Sequence, residues 1–147
     1  MNTLTKAALC AAGLAALLPA TAVAGPQGTA QTFYHNQQTR LYLDDNLQDG
    51  LRAFPYNGGI YQQWIETKWQ DNTFQFKNRA TGRCIEDTPQ YGPMAKPCNQ
   101  SRRQSWYITR WKDLTMEFRN QETGRCLDNY NGLRTGTCDM STTQSWL

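Results

Sequence analysis

Apolar residues form one unbroken run in this chain, residues 7–18, and no later stretch comes close. Beyond it, short hydrophobic groups alternate with polar residues and turn-forming clusters. Thr73-Phe74-Gln75-Phe76-Lys77 and Thr115-Met116-Glu117-Phe118-Arg119 have the composition of β-strands, and residues 78–82 and 120–124, each ending in Thr-Gly, read as turns between strands. The glycine of each Thr-Gly-Arg-Cys segment is expected to supply a positive φ. No helical window of useful length occurs, so the pattern predicts an all-β chain.

The strands belong to a repeat. Gln-x-Trp stands at Gln62-Gln63-Trp64, Gln104-Ser105-Trp106 and Gln144-Ser145-Trp146, the tryptophans 42 and then 40 residues apart. Internal repetition at this period means that one structural unit was copied. With Trp64 laid on Trp106, 11 of the 21 positions up to Cys84 and Cys126 are identical. The first unit keeps the offset without a gap: Tyr34 falls on Phe76, Asn36 on Asn78, Thr39 on Thr81, Leu43 on Ile85 and Pro55 on Pro97. The units span about residues 30–67, 68–109 and 110–147, with about four strands each and about twelve in all. Residues i and i+2 of a strand share a face. Trp64, Trp106 and Trp146 are therefore expected to meet on an axis as the core, with each motif glutamine tying down the neighbouring hairpin.

Composition changes the picture at the N-terminus. Lys6, the apolar run and Ala22-Val23-Ala24 have the order of a secretory signal, which places residues 1–24 in a signal peptide and 25–147 in one exported domain. The net charge of +3 falls by one with Lys6, too little to argue for nucleic acid, and no second apolar run argues for membrane insertion. Cys10 leaves with the signal and four cysteines remain. Under the repeat register the first-unit counterparts of Cys84 and Cys98 are Tyr42 and Tyr56. Both cysteines are missing together, as a bonded pair within one repeat would be. The expected disulfides are Cys84 with Cys98 and Cys126 with Cys138, and a Tyr42/Tyr56 contact replaces the bridge in unit 1.

Three such units, each with a Cys-(Leu or Ile)-(Asp or Glu) element or its counterpart, a second half-cystine position and then Gln-x-Trp, resemble the ricin B-type lectin family, the (Gln-x-Trp)3 β-trefoils. The resemblance implies a β-trefoil with one shallow sugar pocket per unit. An acid two positions after the first Cys accepts from sugar hydroxyls, a ring two positions before the second Cys stacks on the pyranose, and an Asn before Gln-x-Trp completes the set. Carried over, unit 1 has Asp44 and Phe54, with Tyr61 in place of Asn. Unit 2 has Glu86, with Lys96 and Arg103 at the ring and Asn positions. Unit 3 has Asp128, with Gly136 and Thr143 there, and Tyr130 and Asn131 follow its acid as substitutes for the ring. The candidate sugar contacts are Asp44, Phe54 and Gln62 in unit 1 and Asp128, Tyr130 and Asn131 in unit 3.

Catalytic chemistry has little to stand on. His35 is the sole histidine, no Gly-x-Ser-x-Gly setting occurs, and disulfide formation removes thiol nucleophiles and soft metal ligands. No enzyme activity, metal or cofactor is expected. The first expectation is a secreted lectin-like module with partly degenerate pockets for galactose-type or polysaccharide ligands. The second, of a different class, is a trefoil that binds an extracellular protein as a protease inhibitor or as an accessory subunit of a secreted toxin or enzyme, motivated by Lys96, Arg102 and Arg103 on unit 2.

Overall fold

The computed structural model describes residues 32–147. The expected signal peptide, its cleavage point and the first residues of unit 1 lie outside the described residues. Strands β1 (Tyr42–Asn46) and β2 (Gly50–Phe54) pair as a hairpin of unit 1. β3 (Trp64–Lys68), β4 (Phe74–Asn78), β5 (Arg83–Thr88) and β6 (Gly92–Pro97) follow, then β7 (Trp106–Arg110), β8 (Met116–Asn120), β9 (Cys126–Asp128) and β10 (Arg134–Gly136). All pairings between strands are antiparallel, and β3 to β10 form one sheet in which β4 pairs with β3, β5 and β7. This threefold array of hairpins is a β-trefoil.

Among the described residues ten strands stand where about twelve were expected for the chain. The two missing positions are the ends of the described chain, where pairing shrinks to isolated bridges: Thr32 with Trp64, His35 with Tyr42, and Asn36 and Met116 with Trp146.

The three tryptophans are buried, and each indole N–H donates to the carbonyl of the hydrophobic residue after the first half-cystine position: Trp64 to Leu43 at 3.0 Å, Trp106 to Ile85 and Trp146 to Leu127 both at 3.1 Å. They do not meet on the axis. The rings that do are Tyr34, Phe76 and Phe118, with centroids 5.1 to 5.5 Å apart. The reason is local. In units 1 and 2 the motif begins outside the strand, the glutamine closing a 3-10 turn at Ile60–Gln62 or Arg102–Gln104 and the tryptophan opening the strand, and Trp146 forms only isolated bridges; the axial rings Phe76 and Phe118 come from the interiors of β4 and β8. Tyr34 differs from its phenylalanine counterparts by a hydroxyl donated to Glu66, and burial followed by that carboxylate pushes its ionisation far above the ordinary tyrosine range.

A buried polar frame repeats with the core. The amides of Asn36, Asn78 and Asn120 donate to the carbonyls of Thr143, Tyr61 and Arg103, each at 2.7 Å, while their oxygens accept from the turn N–H groups behind them. Each asparagine thus pins one unit to the residue before the motif glutamine of the preceding unit. Gly82 and Gly124 both have φ of +69°, which closes the turn after this asparagine.

Disulfides join Cys84 to Cys98 and Cys126 to Cys138. In unit 1 the Tyr42 and Tyr56 rings lie 4.8 Å apart, flanked by His35 at 5.0 Å from Tyr42 and Phe33 at 5.9 Å from Tyr56. Four aromatic rings do there what one covalent bond does elsewhere. Among the described residues no helix is long and apolar enough to cross a membrane.

Candidate functional site

The β1–β2 hairpin sets Asp44 directly opposite Arg52, and the short β9–β10 hairpin sets Asp128 opposite Arg134. Residues directly opposite in an antiparallel pair share a face, so each acid meets its arginine side by side. In unit 1 Arg52 Nε lies 3.0 Å from Asp44 Oδ1 and Nη1 lies 2.6 Å from Asp49 Oδ2. The same guanidinium covers the Phe54 ring, 3.9 Å from its centroid. Asp44 is 1% exposed. Its Oδ2 takes no hydrogen bond among the described residues, and the side chain forms the floor of an open groove of about 400 Å³ with Asn46, Asp49, Arg52, Asn57 and Tyr61 around it. A single unclaimed carboxylate oxygen beside guanidinium donors is suited to a pair of hydroxyls, one donating and one accepting.

Unit 3 repeats the plan with different surroundings. Arg134 Nη2 lies 3.2 Å from Asp128 Oδ2 and its guanidinium stands 5.2 Å from the Tyr130 centroid. Asp128 also accepts from the Tyr130 N–H at 2.8 Å and from Gln144 Nε2 at 3.4 Å. The groove of about 380 Å³ is lined by Gln38, Asp128, Tyr130, Arg134, Asp139, Ser141 and Thr143. Asp139 is held below the usual carboxylate range by the hydroxyl and N–H of Ser141.

Unit 2 departs from both. Met94 stands opposite Glu86, whose carboxylate accepts instead from Gln104 Nε2 at 3.1 Å. Its groove is lined by Asn99, Ser101, Arg102, Arg103 and Glu122 beside Glu86, and Lys96 is exposed.

Several expected contacts are placed elsewhere. Gln62 is fully buried and its amide is spent on backbone, donating to Pro55 at 2.9 Å and accepting from the Asn57 N–H at 3.0 Å, so it shapes the loop beside the groove and offers a ligand nothing. Gln104 and Gln144 do the same for Pro97 and Thr137. Phe54 is partly buried under Arg52 and does not line the unit 1 groove. Asn131 takes a left-handed turn conformation, φ 54°, and lies outside the lining of the unit 3 groove, which Tyr130 does line. At the position where the resemblance implies Asn, all three units use the backbone carbonyl, as the anchor for Asn36, Asn78 or Asn120. The side chain there is free of that duty, which allows Tyr61, Arg103 and Thr143 to differ.

A family model described as a ricin-type β-trefoil lectin domain-like family matches residues 60–146. The chain belongs to this family. Its fold resembles the designed threefold-symmetric protein ThreeFoil, with 17% identity over 79% of this chain and 95% of that one and a TM-score of 0.72. The Macrolepiota procera ricin B-like lectin in complex with lactose is 19% identical over 80% of this chain and 93% of that one, TM-score 0.66. SeviL bound to asialo-GM1 saccharide is 13% identical over 81% and 95%, TM-score 0.70. At such identities the likeness is one of fold. No curated protein sequence matches the chain.

Within this ricin-type trefoil, Arg52 and Arg134 are the site residues that reading the sequence alone passed over. Their signal was present: each stands two residues after an aligned glycine, Gly50 or Gly132, and Met94 holds the same place after Gly92. Glu117, Cys126 and Cys138 cluster within 4.8 Å, but the sulfurs are bonded to each other and cannot ligate a metal.

Proposed function

We propose that this ricin-type β-trefoil is an exported carbohydrate-binding protein that takes galactose-type or related polysaccharide ligands in the grooves of units 1 and 3. The observation that carries this reading is the pair of cross-strand partners, Asp44 with Arg52 and Asp128 with Arg134, each at the floor of an open groove. The hairpin register fixes acceptor and donor before a ligand arrives, so little ordering cost falls on binding. Adjacent sugar hydroxyls can donate to the carboxylate and accept from the guanidinium in one plane. Pyranose C–H faces would rest on Tyr61 in unit 1, 45% exposed, and on Tyr130 in unit 3, 55% exposed. Family membership supports the class of ligand, as do the lactose and asialo-GM1 saccharide complexes of structural neighbours. Two disulfides suit an oxidising compartment and support export. Unit 2, with Met94 in place of the arginine, is left out of this role.

The test is retention of the disulfide-bonded chain on a glycan array and on insoluble polysaccharides. Binding to galactose-terminated glycans is expected. No retention anywhere by a protein of confirmed fold would overturn the proposal. A protein-binding reading draws on the open groove of unit 2 with its exposed Arg102 and Arg103. It would displace the first if pull-down captured a stoichiometric partner that competing sugar did not release.

A further inference from the structure

Trp69 and Trp111 stand at equivalent places, each opening a tight turn closed by an N–H bond to the carbonyl of Thr73 at 2.8 Å or Thr115 at 2.9 Å. On each turn an aspartate accepts from the hydroxyl and N–H of that threonine, at 2.6 and 3.0 Å for Asp71 and 2.7 and 3.1 Å for Asp113, which holds both carboxyls below the usual range. Beside each indole a groove runs across a boundary between units.

The two grooves share a plan but not a state. At Trp69 the second oxygen of Asp71 accepts from Gln121 Nε2 at 3.0 Å, so the carboxylate is used up within the protein. At Trp111 the place of Gln121 is taken by Gln37. Its amide lies close enough to favour the charged form of Asp113, yet closes no hydrogen bond of ordinary geometry to it. The Trp111 groove is also the larger, about 530 Å³ against about 390 Å³. Trp111 is 38% exposed.

Two apolar residues beside this groove have left-handed backbone. Leu114, on the same turn as Trp111, has φ 71° and is 82% exposed; Met140, in the groove lining, has φ 58° and is 73% exposed. The turn of unit 2 places Asn72 where Leu114 stands, a residue suited to that conformation. A leucine and a methionine held strained and in water gain nothing from the core, and such residues gather where a surface is used.

We propose that the Trp111 groove is a second kind of saccharide subsite, which stacks one pyranose on the indole and binds its hydroxyls through Asp113 Oδ2 and the Gln37 amide. An aromatic face edged by an ionised acceptor, an amide that both donates and accepts, and the hydroxyl oxygens of Thr142 and Ser145, whose protons go to Gln38 and to the Ser141 carbonyl, is the set a pyranose needs. The subsite adjoins the unit 3 pocket. Along the segment 140–145, Met140, Thr142 and Ser145 line the Trp111 groove while Ser141 and Thr143 line the pocket, and Gln37 and Gln38 divide in the same way. Its ligand is therefore an oligosaccharide, of which one residue reaches the indole. The subsite uses none of the residues of the hairpin pockets, so it can be tested apart from them.

The chain contains five tryptophans, so an ¹⁵N-labelled sample shows five indole N–H signals, and that of Trp111 is identified by its loss in Trp111→Phe. Titration with lactose and with galacto-oligosaccharides of increasing length should move this signal saturably, more tightly for the longer ligands. The movement should persist in Asp44→Asn/Asp128→Asn and weaken about tenfold in Asp113→Asn, the size expected for one hydrogen bond to a charged group. If amides near Asp44 or Asp128 shift while the Trp111 signal stays fixed throughout the series, this inference falls and the hairpin-pocket reading stands. If no signal moves with any of these sugars, both fall.

Discussion

Asp87 and Arg125 form a forked ion pair across the boundary between units 2 and 3, with Arg125 Nη2 2.9 Å from Oδ1 and Nε 3.1 Å from Oδ2 of a fully buried carboxylate. Asp45 and Arg83 repeat it between units 1 and 2. At the boundary that closes the ring, Asn129 and Leu41 hold these places, and the Asn129 amide donates to the Thr39 hydroxyl at 2.6 Å. Both charges are absent together. Arg125→Ala should cost about 3–5 kcal/mol, because a buried carboxylate is left without its partner. Asp87→Asn with Arg125→Leu, which copies the closing boundary, should cost clearly less than the sum of the single changes. Urea unfolding of the unaltered chain, Arg125→Ala, Asp87→Asn, Arg125→Leu and the double variant measures both.

Glu117 offers a pH test. Its counterpart in unit 2 is Gln75, whose amide donates to the Asn99 carbonyl at 2.5 Å and to Gln104 Oε1 at 3.1 Å. Burial, helped by Asp139 and opposed by Arg119, raises the Glu117 carboxyl above its ordinary value. A carboxyl raised by folding favours the folded state below its unfolded pKa, and that advantage is lost as pH rises through the folded pKa. Glu117→Gln should therefore raise the melting temperature by a few degrees at pH 7 and leave little gain near pH 4, as thermal unfolding at the two pH values would show.

Unit 1 should accept the staple it lacks. Tyr42→Cys with Tyr56→Cys, placed where Cys84 and Cys98 stand in unit 2, is expected to oxidise to a third disulfide. Closing a loop of this length contributes about 3 kcal/mol in the chain-entropy model, partly offset by loss of the ring contacts with His35 and Phe33. Intact mass after thiol alkylation reports whether the bond forms, and guanidinium unfolding gives the net effect.

The arginine opposite each acid should govern its pocket. Arg52→Met, which gives unit 1 the residue of unit 2, should weaken sugar binding at Asp44 by about tenfold or more while the protein stays folded. Chemical-shift titration resolves unit 1 from unit 3 and would show Asp128 binding unaffected.

The repeat register made much of this molecule readable. It laid out three units, matched the half-cystines and located the acids, because positions that recur at a constant offset perform the same structural duty. It read less well where a duty depends on pairing across strands. Arg52 lies eight residues from Asp44 and meets it only through the β1–β2 register. The axial rings were hidden for a related reason. Phe76 and Phe118 occupy strand interiors of ordinary composition and Tyr34 the matching place beside isolated bridges, while the conspicuous tryptophans are tied by their N–H groups to carbonyls.

The most direct measurement is retention of the protein on lactosyl-agarose, comparing the unaltered chain with Asp44→Asn/Asp128→Asn after circular dichroism and disulfide content have shown both to be folded. Retention of the unaltered chain and its loss in the double variant is the expected result. Undiminished retention of the folded double variant would contradict the assignment of sugar binding to the two acid–arginine pockets.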